Sequence, residues 1–179
     1  MKRPVPPLVE ACILAGGLSS RMGRNKAELP LAGRPLLEHA RQAAERAGLP
    51  VRIIRRDLVP RCGPIGGVYT ALRTTEAHAV LFLACDMPFV TAALIRGVLS
   101  RLTSTTKAVF TRQKEPGFPF ALRASAIPEV KGLLEAKEFA LKTLARQLKA
   151  RYVTAPREQA GCNLNTPEDY EHAKRLLET

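Results

Sequence analysis

Two spacings of apolar residues alternate along the chain, and each predicts a different element. Val9–Leu14 (VEACIL) is a short apolar run that predicts a buried strand. From Arg34 and Pro35 onward, Leu36, Leu37, Ala40, Ala43, Ala44 and Ala47 recur at helical spacing, and Gly48 and Pro50 end that helix. Val51–Ile54 predicts a second strand. Ala79–Ala84 (AVLFLA) is the strongest strand signal, apolar on both faces as a central parallel strand requires. Further on, the pattern predicts helix over Ala92–Leu102, strands over Lys107–Thr111 and Phe118–Leu122, helices over Ile127–Ala136 and Ala140–Leu148, and a strand over Tyr152–Thr154. Pro167 opens a last helix, with Thr166 as its N-cap. Between these elements, Ala15–Pro30, Asp57–Gly67 (DLVPRCGPIGG) and Cys85–Thr91 (CDMPFVT) read as loops, and a helix starts at Val68–Arg73. Strands and helices in alternation predict an α/β sandwich around a mostly parallel sheet. A chain of 179 residues without repeats or a dividing linker predicts one domain spanning 1–179.

Composition narrows the function classes. Hydrophobic residues at 46% and charged residues at 25% describe an ordinary globular chain. A net charge of +12 sets up a field that gathers polyanions: nucleic acid, triphosphates or phosphorylated cofactors. No long Lys/Arg run accompanies it, and few aromatics are available to stack bases, so nucleic acid is disfavoured. Cys12, Cys62, Cys85 and Cys162 contain no C-x-x-C pair, which argues against a zinc site or a disulfide framework. Cys12 and Cys85 sit in apolar runs and read as buried, whereas Cys62 and Cys162 lie beside glycine and could be exposed. His39, His78 and His172 have no ligand spacing. No stretch is long and apolar enough to span a membrane. The apolar run near the start leads into a glycine-rich loop rather than a cleavage site, so a cytoplasmic protein is expected.

Three loops carry candidate chemistry. The first, from Leu14 through Ala15, Gly16 and Gly17 to Lys26, places a glycine pair just after a strand. There the backbone can turn sharply, and its N–H groups can cradle an anion. Arg21 and Lys26 add cations for a triphosphate. It is not a Walker loop, because Gly23 is followed by Arg24, nor a dinucleotide fingerprint, because position 18 is Leu18. In the second loop, Asp86 follows a buried central strand. A carboxylate there needs a cation, and Mg²⁺ is commonly held by one or two carboxylates plus phosphate oxygens; a turn cap before the next helix is an even alternative. In the third, Asn163 and Asn165 flank Leu164, so in an extended segment both point the same way. Their amides suit a phosphate or a cation's water shell, while Thr166-Pro167 caps the following helix.

Taken in order, LAGGLSSRMGRNKAELPLAGRPLLEH, GPIGGVYTAL, ACDMPFV and NLNTPEDY resemble the molybdenum cofactor guanylyltransferases and their near relatives. The segment FPFALRASAIPEVKGLLEAKEFALKTL is similar to the middle of the same family, so the likeness runs through nearly the whole chain. The resemblance implies a Rossmann-like three-layer α/β/α fold. It also implies transfer of GMP from GTP to molybdenum-bearing molybdopterin, with Mg²⁺ as cofactor and pyrophosphate as product. By motif, Leu14, Ala15, Gly16, Gly17, Lys26, Asp57 and Asp86 would meet the nucleotide, and Arg21 its phosphates. Asp86 would hold the metal, and Arg21, Lys26 and Asp86 would carry catalysis. Asn163 and Asn165 would line the acceptor or metal side. Proteins that deliver molybdopterin become possible partners of a protein expected to be monomeric.

The family's second strand is followed by an Asn-containing turn and about a dozen residues before the counterpart of Asp57. Here Val51–Ile54 run almost directly into Asp57, with Arg55 and Arg56 in between. The nucleobase therefore stays open between guanine and another base such as cytosine. The alternatives are a relative using CTP or another phosphorylated acceptor, and a nucleotide- or RNA-binding module without catalysis.

Overall fold

A computed structural model describes residues 8–16, 26–59, 62–156, 164 and 166–177. The central sheet is built from β1 (Val9–Leu14), β4 (Val51–Ile54), β5 (Ala79–Ala84), β6 (Ala108–Arg112), β7 (Pro116–Arg123) and β8 (Arg151–Thr154), in the order β4-β1-β5-β7-β6-β8. β4 and β5 run parallel to β1, and β8 runs parallel to β6. Only β7 is reversed, antiparallel to both β5 and β6. The expected mostly parallel sheet is therefore present, with one inverted strand. That inversion follows from the short Gln113–Glu115 connection, since a tight turn can join only antiparallel neighbours.

Apolar residues alternate between the two faces of the strands. Cys12, Val80, Phe82, Phe110 and Phe120 face α2 (Gly63–Thr74), α4 (Ile127–Glu135) and α5 (Leu141–Gln147). Ala11, Ile13, Leu81, Leu83 and Val109 face α1 (Leu36–Arg46) and α3 (Ala92–Ser100). Both faces are covered, which is why AVLFLA carries no polar residue. The result is the expected three-layer α/β/α sandwich. On the first face, Phe82, Phe120 and Phe110 stack across three paired strands, with centroids 4.9 and 4.5 Å apart.

Helix boundaries follow local chemistry. α1 ends where Gly48 takes φ +85° and the Leu49 N–H reaches back to the Ala44 carbonyl at 3.1 Å, a glycine stop of the Schellman type. The last helix, α6 (Pro167–Leu177), opens on a reciprocal cap. The Thr166 hydroxyl accepts from the Asp169 N–H at 3.1 Å, and the Asp169 carboxylate accepts from the Thr166 N–H at 2.9 Å.

Two stretches depart from the sequence pattern. Pro30–Leu31 (β2) and Arg34–Pro35 (β3) form a small antiparallel ribbon ahead of α1. Its turn, Ala32–Gly33, has φ of +48° and +75°, the signature of a tight hairpin. The sequence pattern puts Pro30 in a loop and the helix start at Arg34, whereas the helix begins at Leu36. The second departure is Gly63–Gly67, read as loop but forming the first turn of α2. Pro64 suits that first turn, where no N–H is needed. Gly66 and Gly67 then lack side chains at points where the helix approaches its neighbours closely.

Candidate active site

The parallel strands β4, β1 and β5 end side by side, with Ile54, Leu14 and Ala84 in register. Pairing continues just beyond them. The Ala15 N–H donates to the Ile54 carbonyl at 2.8 Å, and the Cys85 N–H donates to the Leu14 carbonyl at 3.3 Å. The first and second candidate loops therefore leave the sheet as neighbours. This is the carboxyl edge at which open α/β sheets bind ligands.

Gly16 is required by this crowding. A Cβ built there would lie 3.0 Å from the Arg55 carbonyl oxygen, a backbone atom that cannot swing aside. The first loop returns at the 3₁₀ turn Lys26–Glu28. It brings the Lys26 Nζ to 3.2 Å from Asp86 Oδ2, and each side chain keeps only 16% of its surface exposed. The two groups, 60 positions apart, thus meet as a shielded ion pair at the sheet edge. Asp86 also touches the third candidate segment: its carbonyl accepts the Leu164 N–H at 3.2 Å. Leu164 is buried among Leu31, Leu36 and Ala173, which holds that residue beside the second loop. Gly17, Arg21, Asn163 and Asn165 lie outside the described residues.

Asp57 reaches the same edge from β4. Its carboxylate rests on the first turn of α2. A Cβ at Gly66 would come within 2.9 Å of Asp57 Oδ2, and one at Gly67 within 3.4 Å of Oδ1 and 3.0 Å of a Leu14 methyl. The two glycines make a floor that receives the carboxylate on one side and the end of β1 on the other. Partial burial pushes the Asp57 carboxyl above its ordinary value of 3.8. Cys62 caps α2 at this point and is half-buried. The Cys85 thiol, next to the ion pair, is pushed up to about 11, first by burial and then by the Asp86 charge. Cys12, inside the sheet, rises to about 12 through burial. Neither thiol is a nucleophile at neutral pH.

Of the sequence candidates, Leu14, Ala15, Gly16, Lys26, Asp57 and Asp86 are thus gathered at one edge. The pattern missed Gly66 and Gly67 as parts of the site, because a glycine pair two residues after a proline resembles a turn. It also missed the backbone of Leu164. No group of three His, Cys, Asp or Glu that could cage a metal occurs among the described residues.

A strand-end glycine, a Lys–Asp pair beside it and a carboxylate from the adjacent strand, on a doubly covered and mostly parallel sheet, suit a protein that binds a nucleotide at its sheet edge, and the chain is a nucleotidyltransferase. Residues 11–152 match the MobA-like NTP transferase domain, and the chain belongs to that family. It is 32% identical over 187 residues to a "Probable molybdenum cofactor guanylyltransferase" of Carboxydothermus hydrogenoformans, covering 92% of this chain and 94% of the relative. It is 30% identical over 174 residues to the molybdenum cofactor guanylyltransferase of Xanthomonas euvesicatoria, covering 88% and 90%. Among solved structures it is similar to molybdopterin-guanine dinucleotide biosynthesis protein A of Archaeoglobus fulgidus, with a TM-score of 0.75 at 20% identity over 94% of this chain and 98% of that one. It is equally similar to 4-diphosphocytidyl-2C-methyl-D-erythritol synthase of Anaerococcus prevotii, with a TM-score of 0.75 at 15% identity over 97% and 99%. At those identities the structural likenesses speak for the fold alone.

Proposed function

We propose that this nucleotidyltransferase moves GMP from GTP to the phosphate of molybdenum-bearing molybdopterin and releases pyrophosphate. The observation that carries the reading is the Lys26–Asp86 pair beside the Gly16 passage, in a chain whose relatives bear that name over most of their length. An acceptor phosphate oxygen forms the new bond to the α-phosphorus as the α–β bridge breaks, so one P–O bond replaces another. The acceptor is already an anion at neutral pH, and no strong general base is required. The barrier is repulsion between two anions together with charge growing on the departing pyrophosphate. Lys26 and Arg21 would meet that charge, and the net charge of +12 would help gather both substrates.

Asp86 suits Mg²⁺. It is a single oxygen-ligand carboxylate at the open end of the sheet, and Mg²⁺ takes its remaining ligands from phosphates and water rather than from a protein cage. When bound there, the ion would neutralise phosphate oxygens. Asp57 would accept hydrogen bonds from the nucleoside, and Asn163 and Asn165 would serve the acceptor. The same proposal makes the protein a cytoplasmic monomer, supplied by molybdopterin-delivering proteins; no helix among the described residues is long and apolar enough to cross a membrane.

Pyrophosphate release from each NTP, with and without Mo-molybdopterin and Mg²⁺, tests the reading. GTP should be used only with acceptor and metal together. Asp86→Ala should fold and lose on the order of a thousandfold in turnover, about 4 kcal/mol of transition-state stabilisation. Retained Mg²⁺-dependent transfer in that variant would sink the assignment. Preference for CTP would move the base, and no release from any NTP would favour a binding module.

A further inference from the structure

The Asp57 carboxylate rides on a short, outward-facing connection. Arg55, Arg56, Asp57 and Leu58 are all exposed, Leu58 to 62%. An acidic side chain in such a place would sample several positions unless its backbone were tied down. The tie comes from within α2. Thr70 is only 5% exposed, and its hydroxyl is the tie. It donates its one proton to the Gly66 carbonyl at 2.9 Å, one helical turn back. A hydroxyl has one donor, so the oxygen that remains can only accept. It accepts the Leu58 N–H at 2.8 Å. Leu58 N belongs to the peptide that leaves Asp57, so this bond fixes the backbone directly after the carboxylate. Gly66, Gly67 and Thr70 lie at i, i+1 and i+4 along one helix. The first two make room for Asp57, and the third clamps the strand of chain that carries it. The bond back to the Gly66 carbonyl selects one of the two rotamers open to a helical threonine, which keeps the acceptor pointed at the loop.

We propose that Thr70 is a positioning residue for the nucleotide. Its hydroxyl, by holding the Leu58 N–H against α2, sets the Asp57 carboxylate on the Gly66–Gly67 floor in the orientation that meets the nucleoside triphosphate. The proposal rests on the reading above that Asp57 faces the nucleotide.

Thr70→Val keeps the shape and removes both hydrogen bonds. Measured as pyrophosphate release from GTP with Mo-molybdopterin, it should raise KM for GTP five- to tenfold, the effect of one lost hydrogen bond. kcat should stay within twofold of the wild type. Thr70→Ser, which keeps donor and acceptor, should restore KM to within twofold. In an Asp57→Ala background, Thr70→Val should add nothing, because the group it positions is gone. Should Thr70→Val not accumulate folded, Thr70→Cys, which weakens both bonds at similar volume, takes its place with the same expectations.

An unchanged KM in Thr70→Val, where Asp57→Ala raises it, overturns the clamp and leaves Asp57 in the site. A fall in kcat or in active fraction at constant KM makes Thr70 merely structural and overturns the proposal as well. If Asp57→Ala leaves KM unchanged, Asp57 is not at the nucleotide and the proposal falls with that reading. Failure of the wild type to use any NTP would remove the transferase reading itself.

Discussion

Gly66→Ala separates stability from nucleotide binding, because the two should move in different directions. Gly66 is helical and lies in the first turns of α2, so an alanine fits its backbone. Replacing a helical glycine by alanine gains up to about 1 kcal/mol, which in a domain of this size raises Tm by at most about 2–4 °C. The new methyl carbon would sit 2.9 Å from Asp57 Oδ2, where 3.4 Å begins ordinary contact. The oxygen must therefore move about 0.5 Å or more, the difference of those two distances. It is the far end of a side chain and can do so cheaply, so the fold should not suffer. The remaining neighbours, Asp57 Cγ and Cys62 Cβ, are both 3.4 Å away and need not move. What is lost is the fit of the carboxylate to the nucleotide. A charge-assisted hydrogen bond is worth about 1.5–3 kcal/mol, and spoiling about half of it raises KM for GTP about four- to twelvefold. The assay is thermal unfolding with and without GTP, alongside steady-state pyrophosphate release. Unchanged Tm with unchanged KM would refute the placement of Asp57 over the glycine floor as functional. A drop of more than a few degrees would refute the claim that Asp57 yields without strain.

Two further outcomes follow from the same geometry. Phe120 is fully buried between Phe82 and Phe110, so Phe120→Ala should cost about 3–5 kcal/mol in chemical denaturation without altering which NTP is used; a loss below about 1 kcal/mol would mean the stack is not part of the core. The raised carboxyl of Asp57 means that the folded protein holds that proton more tightly than the unfolded chain. Stability should therefore fall slightly as pH rises from the ordinary value of 3.8 through the raised one. Asp57→Asn should remove that small fall and be more stable than the wild type at neutral pH, while the two converge at lower pH. A wild type that instead gains on Asp57→Asn as pH rises through this window would contradict the burial of the carboxylate.

Much of this protein is written in local pattern. The period of the apolar residues located every strand of the main sheet, since buried strands and amphipathic helices differ in spacing whatever they pack against. Gly48 and the Thr166 cap could be placed for the same reason, because their chemistry acts within a turn or two of chain. The glycine loop, Lys26 and Asp86 could be named as chemistry because their residue types follow strands. That Lys26 and Asp86 meet at 3.2 Å was a matter for the tertiary structure, because the chain between two positions 60 apart must fold before the ends of β1 and β5 become neighbours. The inverted β7 sits between these cases: its direction follows from the short Gln113–Glu115 connection, while its place between β5 and β6 is set by sheet pairing. Gly63–Gly67 shows the boundary most clearly. Read locally, three glycines and a proline make a loop; in the fold they open a helix, with Leu14 and the Asp57 carboxylate pressing where side chains at Gly66 and Gly67 would otherwise stand. Thr70 had no local mark at all: its hydroxyl acquires a role only when a loop 12 positions earlier is laid against it. Residue types determined which chemistry was possible at the sheet edge, and long-range packing decided which of those groups face one another there.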